Sequence, residues 1–399
     1  MCVLSVFSRY GVCSKRAIGG GNSEVIGMNI DVRPDVLQWA CVYAQKDAET
    51  VSRKFPQYKE WVKKEKKPTL HQVEEFARFT NIPFGYLILD EVPYIAVNPV
   101  KDFRTLKNRG VDLAEYSPEL RDTIGMMRDR QEWLHEYKEE NGYAEVDFIG
   151  TIHQDMKIEE ALEIIRKKLD ISVRWQEDLD KGKNAFSYFR KRMERLGVIV
   201  FVNSMVGNNT HRLLDPEEFR GFALADVYAP LIFINGEDAP AARLFTLLHE
   251  LVHLFCGRDG LDDGTEAYCN KIAALLLVPE DAFLEKWKEY EGSFDHLKDY
   301  FRVSLLVVYR AAFTYGLITK EEWADYHFSF LEKWKAEKAG KQRKGGPDFY
   351  KSLPNRIGES FSHYVFRAVK ERSLLYKEAY ELLGIKGDTF QRALKEAGV

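Results

Sequence analysis

The sequence predicts an α+β fold, in which a mainly helical, multidomain chain carries one small β-sheet. Apolar residues recur at helical spacing over most of the chain. Three short runs rich in Val, Ile and Phe are bounded by turn residues and predict strands of one sheet, at 198–202, 221–224 and 231–234. A length of 399 residues exceeds one ordinary core and predicts several domains.

Composition and spacing divide the chain into a disordered leader, an N-terminal helical domain, a main domain, a Lys, Glu and Gly-rich linker and a C-terminal helical module. These segments are predicted at residues 1–27, 28–95, 100–330, 331–346 and 347–399. Within the main domain, the sheet and its central helix occupy about 196–285, and helix-turn-helix-like helices occupy about 290–330. The leader lacks the apolar core and cleavage site of a signal peptide, and Met28 is an alternative to Met1 as the start of the protein.

Charge, cysteine content and hydropathy argue against a protein that coats nucleic acid, a disulfide-stabilised protein and a membrane protein. A net charge of -4 and a pI near 6.2 argue against a surface built throughout to coat nucleic acid. The five cysteines lack CxxC spacing, so a reducing cytoplasm fits better than a disulfide framework. No apolar run approaches the roughly 18 to 20 residues of a membrane helix. A soluble cytoplasmic protein is therefore expected.

The segment LFTLLHELVHLF contains an HExxH motif in a run with helical apolar spacing, for which Asp238 is the candidate N-cap. His249 and His253 are four residues apart, so on a helix they project roughly 40° apart and can reach one ion. Glu250 projects roughly 100° further round, which suits a general base acting on a water molecule beside that ion. The motif predicts a zinc metallopeptidase.

A catalytic zinc ion takes three protein ligands and keeps one position open, so a third donor is required. Glu266 leads the next predicted helix, EAYCNKIAALLLVP, and twelve residues separate it from His253, enough for the chain to reverse direction. Glu266 is the predicted third ligand. The alternatives are Glu280, Asp262 and Asp263.

One zinc ion per chain is predicted, with manganese or another divalent ion as the alternative. Asn270, one turn after Glu266, is expected to orient a ligand histidine through its second nitrogen. Candidates for contacts with the oxyanion or the substrate, for which a structural role is the alternative, are His211, Arg220 and Tyr268.

The stretches RLFTLLHELVHLF and EAYCNKIAALLLVPE, together with FRGFALAD, APLIFING and KDFRT, resemble the ImmA/IrrE family of metallopeptidases. The resemblance covers about 30–399. It implies a gluzincin-like zinc site, with His249, His253 and Glu266 as ligands and Glu250 as the base. It also implies a zinc-dependent endopeptidase that cleaves a helix-turn-helix repressor, encoded nearby, to switch on stress, prophage or mobile-element genes.

This chain departs from the family at Cys269, where the family usually has Ala. Another cysteine, Cys256, lies close by in the sequence. Packing of a small side chain is the interpretation that the sequence favours for Cys269.

The N-terminal domain resembles the repressor-like helix-turn-helix domain that is often fused to this peptidase, through DAETVSRKF and NIPFGYL. The stretch from Val51 to Trp61 is about four residues too short and contains Pro56 where the recognition helix should begin. Lys46–Lys67 carries eight basic and four acidic residues, so DNA contact through 46–67 or through the C-terminal module is an open expectation. The alternative function is a DNA- or protein-binding, antitoxin-like regulator with a structural or vestigial zinc site.

Overall fold

A computed structural model describes the chain at residues 28–93, 116–179, 184–257, 263–340 and 349–398. The chain forms two compact units, of which the first comprises residues up to Asn98 with 116–121, and the second comprises the rest. The predicted leader at 1–27 and the KDFRT segment lie outside the described residues. The predicted domain boundaries stay predictions.

Residues 28–93 of the first unit form five helices, α1 (Pro34–Tyr43), α2 (Ala48–Lys54), α3 (Tyr58–Val62), α4 (Leu70–Thr80) and α5 (Phe84–Leu87). They enclose an aromatic core in which the rings of Phe55, Trp61 and Phe76 contact one another. Helix α3 has five residues, fewer than two turns, and it follows Pro56. Because a recognition helix must present several side chains to a groove, DNA binding by this unit stays a prediction.

Helix α6 (Pro118–Glu140) begins in the first unit and continues into the second. The other helices of the second unit are α7 (Ile158–Leu169), α8 (Ala185–Arg195), α9 (Pro240–Cys256), α10 (Asp263–Leu277), α11 (Glu280–Glu289), α12 (Phe294–Phe301), α13 (Leu305–Thr314), α14 (Lys320–Gly340), α15 (Phe349–Ile357), α16 (Glu359–Lys370), α17 (Tyr376–Leu383) and α18 (Asp388–Glu396). Helix α14 extends into the segment predicted as a linker at 331–346, and residues 341–346 lie outside the described part.

The sheet consists of β1 (Ile199–Asn203), β2 (Gly221–Leu224) and β3 (Leu231–Asn235), in the order β1-β3-β2. Strand β1 is parallel to β3, and β2 is antiparallel to it. On one face, Val200, Ala223 and Ile232 belong to the core that α8, α9 and α10 also form. The sequences of the three strands are nearly continuous apolar runs because helices cover both faces of the sheet.

The opposite face of the sheet is aromatic and packs against the C-terminal helices. The ring of Phe201 lies 5.5 Å from that of Phe361 on α16, and the guanidinium of Arg130 on α6 lies over Phe201. The Nε of Arg130 donates a hydrogen bond to the carbonyl of Leu382 at 2.8 Å. Burial lowers the pKa of Arg130 to about 10. The C-terminal helices therefore share a core with the sheet.

Two details concern the ends of α9 and the length of the helices. Ala239, not the predicted Asp238, is the N-cap of α9, and Asp238 Oδ1 instead accepts a hydrogen bond from the Ala239 N–H. Helix α9 ends at Cys256, and its C-cap Gly257 has a φ of +69°, the left-handed conformation typical of a helix C-terminus. Within the described ranges, no helix combines the length and apolarity that a bilayer crossing requires.

Candidate metal centre

Helix α9 packs against the face of the sheet that carries Ala223 and Ile232, and it buries three ionisable side chains in an apolar setting. Leu247, Leu248 and Leu251 of α9 are fully buried in the core. The two histidines and the glutamate of the same helix are buried as well, although their side chains are polar. The exposed fractions are 0% for His249, 1% for Glu250 and 2% for His253. Burial of such groups is unfavourable unless hydrogen bonds, ion pairs or a metal ion compensate for the lost water.

The three predicted ligands converge at one point. The Nε2 atoms of His249 and His253 are 2.8 Å apart. Helix α10 brings Glu266 to both of them, with Oε2 at 3.4 Å from His249 Nε2 and Oε1 at 3.2 Å from His253 Nε2. Donors placed 2.0–2.1 Å from a tetrahedral zinc ion lie roughly 3.3 Å apart. The two distances from Glu266 match this spacing, and the two histidine nitrogens are closer together than it requires.

The chemistry of the donor set also fits a cation. Two imidazole nitrogens and a carboxylate direct lone pairs at the same small volume, and a divalent cation satisfies all three. Among the residues that the structure describes, His249, His253 and Glu266 are the group of His, Cys, Asp or Glu side chains close enough together to hold a metal ion. Zinc prefers this combination of nitrogen and carboxylate ligands.

The alternative third ligands lie elsewhere or outside the described part of the chain. Glu280 is exposed at the first position of α11, after Pro279. Asp262 and the side chain of Asp263 lie outside the described residues. Helix α10 packs against α9 in the same core, and it therefore brings the carboxylate of Glu266 close to the two histidines of α9.

Sequence reasoning missed the group that contacts the second nitrogen of a candidate ligand. The sulfur of Cys269 lies 3.6 Å from Nδ1 of His253, and both side chains are buried. Asn270, predicted for such a role, is half-buried on α10, and that role stays a prediction. The available signal was the spacing of Cys269 three residues after Glu266, which places both on one face of a helix.

The other predicted contacts are dispersed. Tyr268 donates a hydrogen bond to the carbonyl of Met156 at 3.1 Å. Burial, and then the neighbouring cysteine thiols, raise the pKa of Tyr268 to about 12. Arg220 forms an ion pair with Asp238, with Nε to Oδ2 at 3.7 Å. His211 is exposed in the segment between β1 and β2. Their catalytic roles stay predictions.

Substitution Glu266→Gln tests the third ligand with little change in size. We expect zinc affinity to fall at least about 100-fold, since the loss of a direct ligand should exceed the roughly 10–100-fold cost of disturbing a group behind a ligand. Competition with a chromophoric chelator measures the affinity. Glu280→Gln is the matched control and should bind zinc as the wild type does. If both variants lost the same zinc affinity, Glu266 would not be a specific zinc ligand.

Comparison with protein families covers two parts of the chain. Residues 357–396 match a domain of unknown function, DUF8813. No curated protein matches the chain. Residues 193–313, which include the sheet and helices α9 and α10, match the Peptidase_M78 model, described as an IrrE N-terminal-like domain. This match supports the ImmA/IrrE resemblance over residues 193–313 and points to a peptidase of the IrrE/ImmA type.

Proposed function

We propose that the protein is a zinc-dependent endopeptidase that cleaves a regulatory protein, namely a helix-turn-helix repressor, in the cytoplasm. The observation that carries the proposal is the buried convergence of His249, His253 and Glu266, with Glu250 on the same helix as the two histidines. A purely structural site has no need for a base, so the buried Glu250 favours catalysis. The family match over 193–313 supports peptide hydrolysis.

Bound zinc would supply Lewis acidity, lowering the pKa of a coordinated water to about 7 and polarising a peptide carbonyl. His249, His253 and Glu266 would hold the ion. Glu250 would take a proton from the attacking water and then deliver it to the leaving amine. The apolar packing around α9 would keep bulk water away from the carboxylate and strengthen its interactions with charge that develops during the reaction.

The sheet offers a binding mode for an extended peptide. Strand β2 is at the edge of the sheet and lies beside α9, with Gly221 packed close to Thr246. The carbonyl of Arg220 accepts a hydrogen bond from Asn235 on β3. Because bonding directions alternate along an antiparallel strand, the main-chain groups of Gly221 and Ala223 point to the outer edge. Substrate would add there as a further strand.

The test is incubation of the purified protein with the repressor-like protein encoded beside its gene, with zinc or with a chelator. Fragments that appear with zinc and disappear with chelator are the expected result, and mass spectrometry of the fragments would give the cleavage site. An intact partner after incubation with protein that carries one zinc per chain would contradict this choice of substrate.

The second candidate function is a DNA- or protein-binding regulator in which zinc is structural. It is favoured by the exposed basic residues between α3 and α4, in the segment 63–67 of the first unit. A gel shift with DNA from the neighbouring promoter separates the two proposals. Retarded DNA without cleavage of any neighbouring protein would favour the regulator.

A further inference from the structure

Helix α10 contacts both ring nitrogens of one candidate ligand. At Nε2 of His253 it places the Glu266 carboxylate, 3.2 Å away. At Nδ1 of the same ring it places the Cys269 sulfur, 3.6 Å away. Glu266 and Cys269 are three residues apart, so they project from the same side of the helix and enclose the imidazole from both ends.

We propose that Cys269 is a positioning residue for the metal centre, whose sulfur accepts a hydrogen bond from Nδ1–H of His253. This inference rests on the proposed zinc function. A histidine that binds metal through Nε2 carries its proton on Nδ1, and the partner of that proton fixes the tautomer and the orientation of the ring. The sulfur of Cys269 occupies the position of such a partner.

The burial of both groups makes the contact consequential. Cys269 is 0% exposed and His253 is 2% exposed, so water has little access to Nδ1–H. A buried N–H that loses its acceptor is destabilised, because no water replaces the lost hydrogen bond. The ring would then relax by rotation or by a change of tautomer, and either change moves the lone pair of Nε2 away from the metal position.

Packing alone would also account for a small buried side chain, so the experiment must separate packing from hydrogen bonding. Cys269→Ala removes the acceptor, and Cys269→Ser retains an oxygen acceptor on a shorter side chain. Cys256→Ala is the matched control, because Cys256 is a second buried thiol in the same core. Zinc affinity is measured for the full-length chain by chelator competition, and unfolding by urea is followed for the metal-free proteins.

We expect Cys269→Ala to bind zinc about 10-fold more weakly, Cys269→Ser to fall between it and the wild type, and Cys256→Ala to match the wild type. Nitrogen-15 NMR of labelled histidine should show the Nδ1–H tautomer of His253 in the zinc-loaded wild type. The signals of the His253 ring nitrogens should be altered in Cys269→Ala. Loss of unfolding stability does not produce that change in tautomer.

Equal zinc affinity in Cys269→Ala and wild type would overturn the inference and leave the metallopeptidase proposal intact. An equal loss in Cys256→Ala would also overturn it, because packing would then explain the effect. A sulfur-to-metal charge-transfer band in the cobalt-substituted protein would make Cys269 a ligand and contradict a positioning role. Failure of the wild type to bind zinc would overturn both the proposed function and this inference.

Discussion

Glu250→Gln should lower the rate of peptide cleavage by about 10²–10⁴-fold while zinc affinity stays close to that of the wild type. The amide has nearly the shape of the carboxylate, so the packing around this buried side chain is preserved. It cannot take up the proton that the attacking water must lose. The loss should therefore appear in kcat, with little change in KM, because Glu250 would act on the reaction and not on substrate binding.

The matched control for Glu250→Gln is Glu280→Gln, which makes the same chemical change at an exposed position of the same unit. It should cleave the substrate at the wild-type rate. Zinc content and urea unfolding are measured for both variants, so that loss of metal or of fold is separated from loss of the base. Wild-type kcat in zinc-loaded Glu250→Gln would rule out Glu250 as the proton acceptor and favour a different base.

The parts of the site that sequence could predict are those with local spacing. His249 and His253 are one helical turn apart, so their convergence follows once the helix is recognised, and the apolar run around them indicates that helix. Glu266 required a prediction that the chain reverses between two helices. The same reasoning identified the three strands, although their order β1-β3-β2 depends on pairing between distant segments.

Contacts between distant segments could not be predicted from the sequence. The packing of Phe361 against Phe201 joins the C-terminal helices to the sheet, and neither residue carries a local signal for the other. Cys269 was interpreted as a packing residue because a thiol in an apolar helix is usually that. Its contact with His253 depends on the rotation of α10 relative to α9, which spacing alone does not give.

The last turn of α9 connects the candidate metal centre to fold stability, through Gly257. Its N–H lies 3.0 Å from the carbonyl oxygens of both His253 and Leu254, and its φ is +69°. A Cβ added there would lie 2.6 Å from Cα and 2.7 Å from N of Gly150. Those are main-chain atoms, so no side-chain rotation can relieve the overlap, and the two segments would have to separate.

Gly257→Ala should therefore lower the free energy of unfolding by about 3–5 kcal/mol, combining backbone strain with displacement of the segment at Gly150. Gly142→Ala is the matched control, because Gly142 has the same φ of +69° and an added Cβ there meets nothing within 4 Å among the described residues. The control should cost only about 1–2 kcal/mol, the strain of the left-handed conformation. Urea unfolding of the metal-free proteins measures both. The difference between the two costs isolates the close approach at Gly150, and equal costs would show that this contact does not constrain the fold.

Because the Gly257 N–H bonds to the carbonyl of His253, we also expect weaker zinc binding in Gly257→Ala and unchanged binding in Gly142→Ala. That result would link the end of α9 to the geometry of its ligands.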